Sequence, residues 1–233
     1  MCGRYTNTLS RGDLEEHFRT NIPSEIGTRR YNVAPTEDIL ALVAGRDGRP
    51  EARVLRWGLV PWWSKDLKSA AKMINARVET LEAKPAFRDL IGEAAGRALI
   101  VADGWYEWLR PEDRRQPRQP MRFTVDDGGP FAFAGLWTHA KIDGERIETA
   151  TITTCSVAGN PIAAAIHDRM PAVLADRDTQ AAWLSGAVDA AGAVSLCVPL
   201  PPGRTHVAPA NPRVNRSGLE DEGPDLLAAP LAA

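Results

Sequence analysis

The sequence predicts a single α+β domain built on mixed or antiparallel strands with helices at its periphery. A chain of 233 residues with 44% hydrophobic content can bury an ample core in one domain. Apolar runs of strand length recur between turn signals, whereas helical periodicity is confined to brief segments. Strands and helices intermix without a regular βαβ period or an internal repeat, which favours α+β over a doubly wound sheet.

Asp13 to Arg19 reads as a short helix, with Ser10 as its cap and Leu14 and Phe18 spaced i, i+4. Leu40 to Val43 and Arg53 to Leu59 read as strands joined by the turn-forming Arg46-Asp47-Gly48-Arg49-Pro50. Ala76 to Leu81 has the composition of a helix start. Ala98 to Ala102, Met121 to Val125, Phe131 to Ala134 and Glu148 to Thr154 read as strands, with Asp126-Asp127-Gly128-Gly129 as a hairpin turn between two of them. Ala175 to Leu184 returns to a helix. Residues 216–233, rich in Gly, Pro, Ala and acids, read as a disordered tail.

The net charge of -2 conceals an asymmetry. Residues 1–100 hold 16 Lys/Arg against 13 Asp/Glu, and residues 101–233 hold 12 against 17, so the first half is the polyanion-facing half. Within it Arg29, Arg30, Lys65, Lys68, Lys72, Arg77 and Arg88 recur around Trp57, Trp62 and Trp63. Cations interleaved with aromatics suit a single-stranded nucleic acid groove, although the same residues could form an ordinary core and solvated surface. Cys2, Cys155 and Cys197 are far apart and form no C-x-x-C pair, which supports neither a disulfide framework nor a zinc site and fits a reducing compartment. No charged-then-apolar leader opens the chain, and no stretch reaches the ~18 apolar residues of a membrane span. The expectation is a cytoplasmic protein, nucleoid-associated in a cell without a nucleus.

Cys2 is the residue with the most distinctive chemistry. Removal of Met1 leaves an α-amine and a thiol on one residue, a 1,2-aminothiol. The amine condenses with an aldehyde to a Schiff base, and the thiol closes on the imine carbon as a five-membered thiazolidine. Ordinary pKa values near ~8 for the amine and ~8.5 for the thiol leave both partly nucleophilic at cytosolic pH. Gly3 permits close backbone approach, and Arg4 offers a planar fork of donors suited to phosphate.

Four further segments combine unusual residues: Tyr31-Asn32-Val33-Ala34-Pro35-Thr36, Ile74-Asn75-Ala76-Arg77-Val78-Glu79-Thr80, Ala102-Asp103-Gly104-Trp105-Tyr106-Glu107-Trp108 and Ile166-His167-Asp168-Arg169-Met170-Pro171. Singly, Asn75 could be a helix cap, Glu107 a surface carboxylate and His167 a satisfied core histidine. Together with Met1-Cys2-Gly3-Arg4-Tyr5 they closely resemble the SOS-response-associated peptidase (SRAP) family, with its ordered N-terminal Cys, N-A-R, D-G-[FWY]-Y-E-W and H-x-R-M-P segments. The resemblance spans roughly residues 2–215, with Trp57-Gly58-Leu59-Val60-Pro61, Lys84-Pro85-Ala86-Phe87-Arg88 and Phe133-Ala134-Gly135-Leu136-Trp137 as intermediate matches. It departs at Trp62-Trp63, where the family commonly has a small residue before a single Trp.

The resemblance implies a barrel-like core and a protein that senses abasic sites in single-stranded DNA and shields them through a covalent thiazolidine crosslink at Cys2. Its peptidase label refers to removal of Met1, for which self-processing is suggested. Glu107 is then the acid/base of imine formation, Asn75 orients the α-amine or a sugar hydroxyl, and His167 protonates the sugar ring oxygen or assists reversal. Arg4 and Arg77 grip phosphates, Trp62 or Trp63 stacks on a base, and Pro35 joins the DNA-binding set. No cofactor, metal or membrane is implied, and a monomer is expected. Two alternatives stay open: a Cys2/His167 thiol hydrolase or N-terminal-nucleophile amidase, and a non-catalytic single-stranded DNA binding module.

Overall fold

The computed structural model describes residues 2–24, 26–27, 29–46, 48–111, 113, 115–218 and 222–230. The strands in chain order are β1 (Arg4–Asn7), β2 (Arg30–Val33), β3 (Asp38–Ala44), β4 (Pro50–Trp57), β5 (Asn75–Arg77), β6 (Arg97–Ala102) and β7 (Gly104–Leu109). They continue as β8 (Gln119–Val125), β9 (Phe131–Ile142), β10 (Glu145–Ser156), β11 (Arg169–Pro171), β12 (Val173–Leu174) and β13 (Thr205–Pro209). The helices are α1 (Arg11–Phe18), α2 (Arg88–Gly92), α3 (Pro161–Ala164), α4 (Arg177–Leu184) and α5 (Ala190–Leu196).

Five strands close into a ring. β3 pairs antiparallel with β4 and β6, β6 with β9, and β9 with β10, and the circuit closes where β10 runs parallel to β4 at Thr149↔Arg56 and Ala150↔Trp57. A five-stranded barrel is too narrow for anything but side chains. Accordingly β6 is buried along its whole length, as Arg-Ala-Leu-Ile-Val-Ala. The second sheet runs β13-β8-β7-β1-β2, all antiparallel. Rings join it to the barrel: Tyr5 meets Trp57 and Phe133 edge-on at 5.4 and 5.7 Å, and Trp105 meets Phe131 and Phe133 at 6.0 and 6.2 Å. Such pairs contribute about 0.5–1.5 kcal/mol each beyond the area they bury. The α+β class with a barrel-like core is as the sequence predicts.

Local chemistry explains most elements. Ser10 caps α1 reciprocally with Asp13, whose carboxylate accepts from the Ser10 N–H while the Ser10 hydroxyl accepts from the Asp13 N–H. The β3–β4 hairpin forms around its predicted turn, of which Asp47 lies outside the described residues. Three expectations are corrected. Asp126-Asp127-Gly128-Gly129 turns the chain, with Asp126 and Gly128 at positive φ, but it is not a hairpin turn: β8 pairs with β7 and β13 in the second sheet, whereas β9 leaves for the barrel and pairs with β6, β10 and β12. Ala76 to Leu81 is not a helix: Asn75–Arg77 is strand and Val78–Thr80 a single 3-10 turn, because parallel pairing with β10 overrides the helical propensity of a short segment. The described part of the expected tail is packed: Leu226 is fully buried beside Tyr106, Ala210 and Val214. The Glu222 carboxylate pairs with Arg30 and accepts from the N–H groups of Tyr31 and Asn32. Composition counts these acids as solvating, but Glu222 meets its partners on β2 and Asp225 pairs with Arg213.

Candidate functional site

β1 and β7 build the site. Asp103, one residue before β7, is buried and accepts from both the Thr6 and the Thr8 hydroxyl, while its N–H donates to the Thr6 carbonyl at 2.9 Å. These bonds lock the register Tyr5↔Trp105 and Arg4↔Tyr106. A Cβ on Gly104 would lie 2.8 Å from both the Phe123 carbonyl oxygen and the Thr6 hydroxyl, so the close approach of three strands requires glycine there. Alternation along β7 then divides the Trp105-Tyr106-Glu107-Trp108 run. The Tyr106 hydroxyl donates to the Tyr31 carbonyl at 2.9 Å and the Trp108 indole N–H to Asn215 Oδ1 at 2.7 Å. Trp105 and Glu107 lie on the opposite face, toward the barrel and Cys2.

Cys2 is fully buried. Burial pushes its thiol well above the ordinary range, and the Glu107 carboxylate adds to that shift. Glu107 is 3% exposed, and its carboxyl is pushed up from 4.5 to about 7, chiefly by burial and in addition by the like charge of Asp168. Asn75 Nδ2 donates to the Cys2 carbonyl at 2.8 Å. Asn75 Oδ1 is buried with no hydrogen-bond partner among the described residues, which leaves one acceptor beside Cys2. The barrel holds Asn75 in place: the Trp57 indole N–H and the Ile152 N–H both donate to the Ile74 carbonyl, at 2.9 and 3.1 Å, and β5 runs parallel to β10.

His167 lies between α3 and β11, half-buried, and its pKa is lowered by burial. Its Nδ1 accepts the Arg169 N–H at 3.1 Å and stands 2.9 Å from Asp168 Oδ1. It faces a cavity of about 490 Å³ shared with Arg110 and Ser156. Asp168, between His167 and the bridge below, reaches Glu107 electrostatically. Arg169 makes a bidentate ion pair with Glu79 at 3.0 and 2.8 Å, tying the His167 segment to the turn after β5. The sequence reading assigned roles to neither Asp168 nor the Glu79–Arg169 bridge. For Asp168 the signal was a carboxylate directly beside a candidate histidine; for the bridge no sequence signal existed, since its partners lie 90 residues apart.

Cys2, Asn75 and Glu107 are thus brought together, with His167 linked to them through Asp168. Arg4 is half-buried on β1, its Nη1 donating to the Gly3 carbonyl at 2.9 Å. Arg77 is exposed at the end of β5, two residues from Asn75. Trp62 and Trp63 are 71% and 47% exposed and pack edge-on at 5.5 Å. Gly58 aims their loop: its φ of +130° and the 2.7 Å that would separate a Cβ from the Ala70 carbonyl oxygen exclude other residues. Lys65, Lys68 and Lys72 are exposed on the same loop. Pro35 is half-buried between β2 and β3. Trp57, grouped with this surface by its sequence position, is instead fully buried core, and Arg30 is engaged by Glu37 and Glu222. Among the described residues no group of three or more His, Cys, Asp or Glu could hold a metal ion, and no helix is long and apolar enough to cross a membrane.

A cysteine at position two buried against a barrel core, with an amide and a carboxyl of raised pKa beside it and an exposed aromatic and basic loop on the same chain, defines a protein built around a buried cysteine near its start. The family model described as "SOS response associated peptidase (SRAP)" matches residues 1–217, and the chain belongs to that family. It is 38% identical over 188 residues to the abasic site processing protein YoqW of Bacillus subtilis, covering 79% of this chain and 80% of the relative. It is 35% identical over 210 residues to the abasic site processing protein YedK of Escherichia coli, covering 85% and 88%. The crystal structure of a protein from Bacteroides thetaiotaomicron superposes with a TM-score of 0.81 at 23% identity over 97% of this chain and all of that one.

Proposed function

We propose that residues 2–215 form an abasic-site processing domain that captures the ring-opened sugar aldehyde of single-stranded DNA as a thiazolidine on Cys2, once Met1 has been removed. The names of these relatives, abasic site processing proteins, support the lesion class. The observation that carries the chemistry is the enclosure of Cys2 by Asn75 and by a Glu107 carboxyl pushed up to about 7.

The α-amine of Cys2 adds to the aldehyde carbon, and the carbinolamine leaves its hydroxyl as water with a proton from Glu107. The thiol sulfur then adds to the iminium carbon and returns its proton to the Glu107 carboxylate, so one water is lost and nothing is oxidised. A pKa near 7 suits both halves, because acid and base forms are comparably populated at neutral pH. The raised thiol pKa keeps Cys2 protonated until the iminium appears on the same residue, and that adjacent cation then lowers it. The same raised pKa speaks against a thiol hydrolase, which needs a thiolate beside an imidazolium. Asn75 Oδ1 accepts from the amine or a sugar hydroxyl, and His167 at the rim serves ring opening or reversal. Arg4 and Arg77 take phosphates, Trp62 and Trp63 give a base its stacking surface, and Pro35 shapes the bend between β2 and β3.

The test is intact-protein mass spectrometry before and after incubation with a single-stranded oligonucleotide carrying one abasic site. A chain lacking Met1, and an adduct of protein plus oligonucleotide minus one water that is lost in Cys2→Ala, is the expected result. Met1 removed with no adduct would overturn the proposal, as would an adduct that survives Cys2→Ala.

A further inference from the structure

A second concavity, of about 560 Å³, lies between the end of α1, the β3–β4 hairpin and α4, and shares no lining residue with the surroundings of Cys2. Its volume falls in the range of about 300–1,000 Å³ usual for small-ligand sites. The floor is apolar, with Phe18, Leu99 and Leu184 all buried. The rim is cationic: Arg19, Arg49 and Arg177 face a single carboxylate, Asp178.

Two further features bias this hollow toward an anion. Among the described residues neither Arg19 nor Arg177 forms an ion pair; Arg177 Nη2 donates to the Glu16 carbonyl at 3.1 Å, which fixes it beside the last turn of α1. Behind the Ser185 wall sits Arg97, fully buried, with Nη2 donating to the Ser185 and Val188 carbonyls at 2.9 and 2.8 Å. Its Nε and Nη1 have no hydrogen-bond partner among the described residues, although Glu93 and Asp189 attract it electrostatically. A buried guanidinium adds positive potential where the dielectric is low. The hollow is also preformed: the Trp183 indole N–H donates to the Ala98 carbonyl at 3.0 Å and Gln180 Nε2 to the Leu174 carbonyl at 2.9 Å, seating α4 on the barrel. At its edge the His17 ring stands edge-on to Phe18 at 4.6 Å.

We propose that this concavity is a second ligand site for a nucleoside 5′-monophosphate, its base on the Phe18–Leu99–Leu184 floor and its phosphate dianion on Arg19 and Arg177. A flat ring fits the apolar floor and the edge of His17, and paired guanidinium groups match phosphate oxygens better than a lone carboxylate's. The same chemistry is offered by a free nucleotide and by the phosphorylated 5′ end of a DNA strand.

The experiment is a titration of the full chain, followed by amide NMR shifts, with dAMP, with inorganic phosphate, and with a short oligonucleotide bearing or lacking a 5′-phosphate. Saturable shifts at His17, Gln180 and Ser185 with dAMP, at least about tenfold tighter than with inorganic phosphate, are expected. Arg19→Ala/Arg177→Ala should weaken dAMP about tenfold or more, and Ala181→Phe should block it by filling the floor, while the Cys2 adduct forms as before. Equal response to both oligonucleotides, with dAMP binding intact, assigns the site to free nucleotide; a response only to the phosphorylated one assigns it to strand ends. No saturable shift with dAMP or with the phosphorylated oligonucleotide up to about 10 mM, or dAMP binding that both variants leave unchanged, overturns the proposal.

Discussion

Replacing Glu107 by Gln removes a titration while keeping the shape of the side chain. The carboxyl is moved from 4.5 to about 7 by burial, and at about 1.4 kcal/mol per tenfold change in proton affinity this corresponds to about 3 kcal/mol. The folded pKa lies above the unfolded one, so the protonated carboxyl's contribution is fully present below about pH 4.5 and is lost as pH rises through about 7. Glu107→Gln has no proton to lose. Its unfolding free energy relative to wild type should therefore improve by about 3 kcal/mol between about pH 4.5 and pH 8, whatever the offset at the acid end. Urea denaturation of both proteins at these two pH values reads the difference from the midpoints, provided their slopes agree. A difference between the proteins that stays constant with pH to within about 0.5 kcal/mol would refute the reasoning, since it would mean that Glu107 titrates alike folded and unfolded.

Asn75→Ala removes the 2.8 Å bond to the Cys2 carbonyl and should slow adduct formation about tenfold or more at unchanged DNA affinity, measured by quenched gel time courses with abasic DNA. Trp62→Ala and Trp63→Ala should each weaken single-stranded DNA binding by about 1–3 kcal/mol in fluorescence anisotropy. Because both rings are largely exposed, neither should move the melting temperature. Leu226→Ala should cost about 2–4 kcal/mol of stability in urea denaturation, since its side chain is fully buried against Tyr106; a cost below about 0.5 kcal/mol would show this segment to be a solvated tail after all.

The residues that the structure brings together around Cys2 were legible in the sequence because the signal resides in residue types: a cysteine at position two, and an Asn and a Glu in unusual company. The Ser10 cap of α1 and the β3–β4 hairpin were legible because their signals are local. β7 was harder, since Gly104-Trp105-Tyr106-Glu107-Trp108-Leu109 is buried on both faces over most of its length and shows no alternation. Asn75–Arg77 could not be read as a strand, because three residues carry no period and its pairing partners, Ile152–Thr154, lie far along the chain. Trp57 and Trp62 illustrate the same limit from the other side. Five positions apart in one basic stretch, one is sealed in the core and the other stands in solvent, and the difference is decided by the turn at Gly58.

The closing of the barrel by β10 on β4 and β5 also orders events in time. Cys2 is among the first residues made, but its enclosure needs Glu107 on β7 and the Asn75 segment that β10 holds. At a synthesis rate of about 5–20 residues per second, roughly 8–30 s separate the appearance of Cys2 from that of Ser156 at the end of β10. Throughout that interval the burial that raises the thiol's pKa is not yet in place. Only the finished fold withdraws the thiol and raises its pKa. The last of these strands to be made, β10, rather than the most distant pairing, β1 with β7, thus sets how long Cys2 stays open on the nascent chain.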